Sequence, residues 1–172
     1  MNRYSRGSQP GRGNVYQWEH GPGPFAVNVE CAAKKNQNYR AAVWTGENLQ
    51  MTVMSIPTQC ETGVEVHPDT DQMLRVEDGQ GLVRVGCSED QLNCKQKLDI
   101  GDAVFIPAGV WYNFMNTGEC NLKLSSVYAP PEHARGTVHR TKEEAEASEQ
   151  KLGASQSETR SKQNNDVKDE VT

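Results

Sequence analysis

The sequence predicts an all-β protein, either a barrel or a sandwich. Between Phe25 and Pro131, short runs rich in β-branched and aromatic residues alternate with Gly, Pro, Asn and Asp. These runs recur about every 8–12 residues, a spacing typical of sandwiches and barrels. No long stretch has the hydrophobic period of an amphipathic helix. The segments at 77–81 (EDGQG) and 116–119 (NTGE) fit hairpin turns, because each contains a glycine beside Asp, Asn or Thr.

Each predicted strand is a short run that is enriched in strand-forming residues and ends at a turn former. In chain order, the predicted strands are Ala26–Glu30, Ala41–Thr45, Leu49–Ile56, Val64–His67, Gln72–Glu77, Leu82–Gly86, Leu92–Leu98, Ala103–Ile106, Trp111–Asn116 and Leu122–Ala129. One helix is predicted at about 141–152, where Thr141 is a good N-cap and Glu residues fill the first turn.

The apolar residues divide the chain into three parts. Leu, Ile, Val and Phe account for 30 of the 172 residues, and 25 of the 30 lie between Phe25 and Pro131. We therefore expect a flexible arm at 1–24, a single barrel domain at 25–139, and a short helix followed by a disordered tail at 140–172. Both tails are too polar to bury the apolar surface that would offset the entropy cost of ordering them.

Charge and hydropathy argue against several partners. The net charge of −5 and the pI of about 5.4 disfavour binding to nucleic acid. No window approaches the roughly 18 apolar residues of a membrane span, and the first residues lack the apolar core of a secretory signal. We therefore expect a cytoplasmic protein without a membrane partner. The five cysteines are odd in number and never spaced CxxC, so we expect them to be reduced.

A candidate ligand-binding site lies in the middle of the chain. Side chains alternate along a strand, so Glu65 and His67 share one face of their predicted strand. On the next strand, Gln72 lies on the apolar face with Leu74 and Val76, and it should point inward. A carboxylate, an imidazole and an amide directed into one barrel form a mixed nitrogen and oxygen site. Such a site suits zinc, manganese, iron or nickel.

Two spaced motifs resemble those of the cupin superfamily. The first cupin motif, G(X)5HXH(X)3,4E(X)6G, is matched in part by Glu65, His67, Gln72 and Gly79. The second motif, G(X)5PXG(X)2H(X)3N, is matched by Gly101, Pro107, Gly109, Tyr112 and Asn116. The resemblance covers roughly Phe25 to His139. Three segments are more narrowly similar to small cupins described as mannose-6-phosphate-isomerase-like: VHPDTDQMLRVEDGQG, IPAGVWYNFMNTG and LKLSSVYAPPEHARGTVHRTKEEA.

The resemblance implies a single β-barrel of the jelly-roll type and, frequently, a homodimer. It also implies a divalent metal at the centre of the barrel, held by the residues at the motif positions: Glu65, His67, Gln72 and Tyr112. If the protein is an enzyme, the nearest resemblance implies metal-dependent isomerase chemistry on a sugar. Glu65 or Tyr112 would then be the catalytic residue that moves a proton.

The chain departs from the cupin motifs at three positions, of which Tyr112 matters most. Glu65 and Gln72 still offer oxygen donors in place of His and Glu. Tyr112 replaces a histidine nitrogen by a phenol with an ordinary pKa near 10. Three interpretations of Tyr112 are open: direct ligation as a phenolate, a hydrogen bond to a bound ligand or metal-bound water, or a barrel without metal in which Tyr112 fills the space.

Three functions follow from these interpretations. The first is a cupin that binds a small polar ligand, a sugar or a carboxylate, with a divalent metal and isomerase-like activity. The alternative is a non-catalytic, metal-free module for ligand binding or assembly. The third is an iron-dependent dioxygenase, which would need Tyr112 or water to complete the iron shell.

Overall fold

A computed structural model describes residues 19–148 of the chain. These residues form a seven-residue helix near the start, α1 (Val29–Lys35), nine strands, and a second helix at 142–148. The strands are β1 (Arg40–Thr45), β2 (Gln50–Ile56), β3 (Asp71–Asp78), β4 (Gly81–Gly86), β5 (Cys94–Leu98), β6 (Ala103–Ile106), β7 (Trp111–Asn116), β8 (Leu122–Ala129) and β9 (Val138–His139). The chain is divided after Arg140 into two compact units, of which the first holds all nine strands.

The strands form two antiparallel sheets, which confirms the predicted all-β jelly-roll class. The larger sheet has the order β6-β3-β8-β2-β1-β9, and the smaller one has the order β5-β4-β7. Three predicted strands, at 103–106, 111–116 and 122–129, have the bounds that the structure shows. The β3–β4 turn contains Gly79 at a φ of 84°, a conformation that L-residues with a side chain rarely adopt.

The register of the larger sheet places one set of side chains on its inner face. Gln72 on β3 lies opposite Tyr128 on β8, and Tyr128 lies opposite Gln50 on β2. Further along the same strands, Val76, Leu124 and Met54 are neighbours in the same way, and all three are buried. Directly paired residues share a face of the sheet. The inner face is therefore polar at one end and apolar at the other.

The predicted strand Ala26–Glu30 is wrong, because α1 begins at Val29 within it. The Asn28 side chain accepts a hydrogen bond from the amide of Cys31, and Glu30 pairs with Lys34 one turn later at 2.7 Å. One face of the helix buries Ala33 against Ala41, Val43 and Val53 of the larger sheet. Seven residues are too few to show a periodic pattern, and packing of this face stabilises the helix.

The predicted strand Val64–His67 is reduced to an isolated bridge between Glu65 and Tyr112. Strand β9, which pairs with β1, was not predicted from the sequence. The chain from Glu19 onward lies along β1, where the Glu19 carboxylate accepts hydrogen bonds from the amide and hydroxyl of Thr45.

The second unit contains a helix at 142–148, where the sequence predicted one. The Thr141 hydroxyl accepts a hydrogen bond from the amide of Glu144 at 3.4 Å, as expected of an N-cap. The predictions for residues 1–18 and 149–172 lie outside the described residues. Among residues 19–148, no helix is long and apolar enough to cross a membrane.

Candidate functional site

Glu65 and Tyr112 are held side by side by the backbone. The amide of Glu65 donates to the carbonyl of Tyr112 at 2.8 Å, and the amide of Tyr112 donates to the carbonyl of Glu65 at 2.9 Å. Residues that exchange both hydrogen bonds in an antiparallel bridge direct their side chains to the same side. Tyr112 is 1% exposed, so this side is the interior of the barrel.

The hydroxyl of Tyr112 joins the other predicted site residues. It donates a hydrogen bond to Oε2 of Glu65 at 2.6 Å and lies 3.2 Å from Nε2 of His67. Burial raises the pKa of Tyr112 well above 10, and the negative charge of Glu65 raises it further. The phenol is therefore neutral at physiological pH.

A buried arginine lies behind Glu65. Arg40 is 1% exposed, and its Nη2 lies 3.6 Å from Oε1 of Glu65. Burial alone would lower the pKa of Arg40, but interactions with Tyr128 and Glu65 hold it above its ordinary value. The guanidinium thus remains charged, and Glu65 partly compensates the cost of burying this charge.

His67 has a second acidic neighbour on the segment that follows β8. Its Nδ1 lies 3.2 Å from Oε1 of Glu132. The hydrogen bond from His67 lowers the pKa of Glu132 to about 2, against the opposing effect of burial, and a hydrogen bond from Thr70 lowers it further. Glu132 is therefore a carboxylate, which accepts hydrogen bonds and donates none.

Gln72 points inward, as its position in the sequence predicts. It is 3% exposed, and its Nε2 donates to the hydroxyl of Ser126 at 2.9 Å. Among the described residues, its Oε1 has no hydrogen-bond partner although it is buried. A buried acceptor without a partner costs free energy, so this oxygen is available to a ligand or a water molecule.

His133 adds a neutral imidazole to the same region. Its ring meets the Tyr128 ring edge-on with centroids 5.0 Å apart, and His67 meets Tyr128 at 5.7 Å. Burial lowers the pKa of His133 to about 2, and the charge of Arg40 acts in the same direction. The buried Nε2 of His133 has no hydrogen-bond partner within residues 19–148.

The side chains at the four motif positions do not fit a metal ion as they are arranged. Oε2 of Glu65 already accepts the proton of Tyr112, whose neutral phenol is a poor ligand. Both ring nitrogens of His67 have neighbours, at Tyr112 and Glu132. In the part of the chain that the structure describes, no group of three or more His, Cys, Asp or Glu side chains could hold a metal ion.

The sequence analysis did not identify three residues of this site: Arg40, Glu132 and His133. Arg40 begins a strand that is otherwise apolar up to Thr45, and a charge at a position that should be buried was a usable signal. Glu132 and His133 lie outside the two motifs, and nothing in the local pattern associates them with His67.

Comparison with known proteins finds a matching family, two sequence relatives and a similar solved structure. Residues 52–128 match the family described as Cupin domain. The chain is 46% identical over 136 residues to the uncharacterised protein YrkC of Bacillus subtilis, covering 79% of this chain and 73% of YrkC. The uncharacterised protein L612 of Acanthamoeba polyphaga mimivirus is 32% identical over 130 residues, which cover 75% of this chain and 79% of L612. The crystal structure of BH2720 from Bacillus halodurans shares 50% identity and a TM-score of 0.74, covering 75% of this chain and 98% of that one.

Proposed function

Because the chain belongs to the cupin family, we propose that it binds a small, neutral polar ligand, such as a sugar, inside its barrel and transfers protons on it. The observation that supports this proposal is an unbroken series of contacts through the barrel interior. It runs from Arg40 to Glu65, Tyr112, His67 and Glu132. Such a series places a proton donor and proton acceptors at fixed positions in one partly buried region.

The charges of the site favour a neutral ligand over a phosphorylated one. Glu65 and Glu132 contribute two carboxylates, and Arg40 contributes one permanent positive charge. A dianionic group would therefore enter a region without a surplus of fixed positive charge. The unpartnered oxygen of Gln72 can accept a hydrogen bond from a sugar hydroxyl, whereas it would repel a phosphate oxygen.

The geometry supports an isomerase-like or epimerase-like proton transfer. Such reactions move a proton away from the carbon beside a carbonyl group and place a proton on the carbonyl oxygen. Tyr112 holds a proton at its hydroxyl and can donate it to that oxygen, while Glu65, as a carboxylate, can accept the proton from carbon. Glu65 then gives its proton to the former carbonyl carbon while Tyr112 takes a proton from the neighbouring hydroxyl, which becomes the new carbonyl, and both groups regain their starting states.

The test uses the full-length protein with neutral aldoses and ketoses as ligands and small carboxylates as the comparison. We expect the sugars to shift the NMR signals of barrel residues and to take up solvent deuterium at the carbon beside the carbonyl. Tyr112→Phe and Glu65→Gln should abolish the deuterium uptake. Glu89→Gln, a change of the same chemistry at an exposed residue outside the barrel, should not. Shifts with carboxylates alone would contradict the choice of ligand.

A second candidate function is ligand binding without catalysis. It is favoured by the same contacts, because the two groups assigned to proton transfer, Glu65 and Tyr112, are already hydrogen-bonded to each other and Tyr112 is 1% exposed. A sugar that binds and shifts barrel signals without any uptake of deuterium would support this candidate. It would also remove Glu65 and Tyr112 from the catalytic role.

A further inference from the structure

We propose that Glu132, on the segment that follows β8, is the positioning residue that fixes the orientation of the His67 ring and determines which ring nitrogen faces Tyr112. This inference rests on the proposed function, since it names the residue that orders the proton-transfer site. Glu132 lies 65 residues after His67 and outside both sequence motifs.

The contacts of Glu132 determine the proton arrangement on His67. Oε1 of Glu132 lies 3.2 Å from Nδ1 of His67, and a carboxylate can only accept a hydrogen bond. Nδ1 must therefore carry a proton. The ring is then oriented with Nε2 toward the hydroxyl of Tyr112, at 3.2 Å. A carboxylate that holds one ring nitrogen and leaves the other facing the reacting groups is a common way to select a histidine tautomer.

Glu132 is itself held in place. Thr70, which is 4% exposed, donates a hydrogen bond to its carboxylate. Two hydrogen bonds, from Thr70 and from His67, restrict the carboxylate. Ordering of this kind lowers the entropy cost of presenting His67 in one orientation.

The backbone around Glu132 is anchored to the larger sheet by a buried glutamine. Gln50 is fully buried, and its Nε2 donates to the carbonyl of His133 at 2.8 Å. Its Oε1 accepts a hydrogen bond from the amide of His133 at 2.9 Å. Two residues further on, Arg135 donates to the carbonyls of Gly21 and Thr45, each at 2.7 Å. Strand β8 ends at Ala129 before Glu132, and these hydrogen bonds anchor His133 and Arg135 after it, so Glu132 lies between two anchored stretches.

The test measures His67 directly, in the ligand-free protein and at one pH. Histidine labelled with nitrogen-15 reports which ring nitrogen carries a proton and how fast that proton exchanges with water, and a His67→Gln variant assigns the signals. We expect Nδ1 of His67 to be protonated in the natural protein. In Glu132→Ala, we expect the Nδ1 proton to exchange about tenfold faster or to be lost, as for a broken charge-assisted hydrogen bond.

Three further variants keep the result interpretable. Glu132→Gln keeps the size and an accepting oxygen, so its exchange rate should lie between those of the natural protein and Glu132→Ala. Gln50→Leu leaves Glu132 intact but removes the anchor, and it should raise the exchange rate by a smaller factor. Glu89→Gln, in an exposed loop, should change nothing.

Natural exchange and an unchanged Nδ1 signal in folded Glu132→Ala would overturn the proposal. If Glu132→Ala does not fold, an unchanged exchange rate in Glu132→Gln would do so. Because this test uses no ligand, its failure is distinguishable from failure of the proposed function. If Glu132→Ala alters the His67 signals but the natural protein shows no response to sugars, the positioning role stands and the proposed sugar function fails.

Discussion

Replacing Tyr112 by Phe removes one hydroxyl from the centre of the site and leaves the ring in place. The hydroxyl donates to the Glu65 carboxylate at 2.6 Å and lies 3.2 Å from Nε2 of His67. The hydroxyl has a single proton, which goes to this carboxylate, and a His67 ring protonated at Nδ1 has none to donate from Nε2. A hydrogen bond to a charged group contributes about 1.5–3 kcal/mol. We therefore expect Tyr112→Phe to lower the free energy of unfolding by about 2 kcal/mol at pH 7.

The assay is equilibrium unfolding in urea, with a thiol reductant because all five cysteines are free and exposed. A double-mutant cycle with Glu65→Gln measures the coupling between the Tyr112 hydroxyl and the Glu65 carboxylate. In the Glu65→Gln background, Tyr112→Phe should cost only about 1 kcal/mol, since the charged acceptor is already gone. The reasoning is refuted if Tyr112→Phe is as stable as the natural protein, or if its cost is the same in both backgrounds.

The same variant should alter stability at high pH. Burial raises the pKa of Tyr112 in the folded protein above its ordinary value of 10.0. The unfolded chain therefore loses this proton first, and the folded state loses stability as the pH rises above about 10. In Tyr112→Phe, the free energy of unfolding should therefore fall less steeply as the pH rises above about 10. An unchanged alkaline slope would mean that Tyr112 titrates alike in both states.

Three further predictions follow from the site and the fold. The pKa of His133 falls from 6.5 to about 2 on folding, so the unfolded chain binds an extra proton below pH 6.5. As the pH falls below 6.5, this group should lower the free energy of unfolding by at most about 1.4 kcal/mol per pH unit. In His133→Gln, the free energy of unfolding, measured with urea, should change less between pH 7 and pH 5. Elemental analysis of protein purified without chelator or affinity metal should find well below one metal per chain. A stoichiometric metal that is lost in His67→Ala would contradict the misfit described above. Light scattering should give twice the mass of the chain, as the cupin resemblance predicts, and a monomer mass at micromolar concentration would contradict the homodimer.

The β-class of the protein and the inward position of its central residues are encoded locally. Alternation along β3 predicts that Gln72 shares a face with Leu74, and in the structure both side chains are buried and pair with alternate residues of β8. The cupin resemblance implies an inward role for Tyr112, which lies on β7 with its side chain buried. Period-two alternation and turn chemistry act over a few residues, so they can be detected in the sequence alone.

Helix α1, in contrast, could not be detected from local pattern. Its seven residues have no period long enough to detect, and the burial of Ala33 against the outer face of the sheet stabilises it. Phe25, Val27 and Val29, at and just before the start of the helix, are apolar enough to suggest a strand instead. Only the packing of the chain distinguishes the two.

Which residues of the site contact one another is also decided only by the tertiary structure. The sequence brings Glu65 and His67 onto one face, but it cannot show that Arg40, 25 residues earlier, lies behind Glu65. Nor can it show that Glu132, 65 residues after His67, accepts the hydrogen bond from its ring. Pairings of this kind arise when the barrel closes and burial makes each polar group depend on whichever partner lies within hydrogen-bond distance. Local pattern determines which side chains enter the barrel, and closure of the fold determines which of them meet.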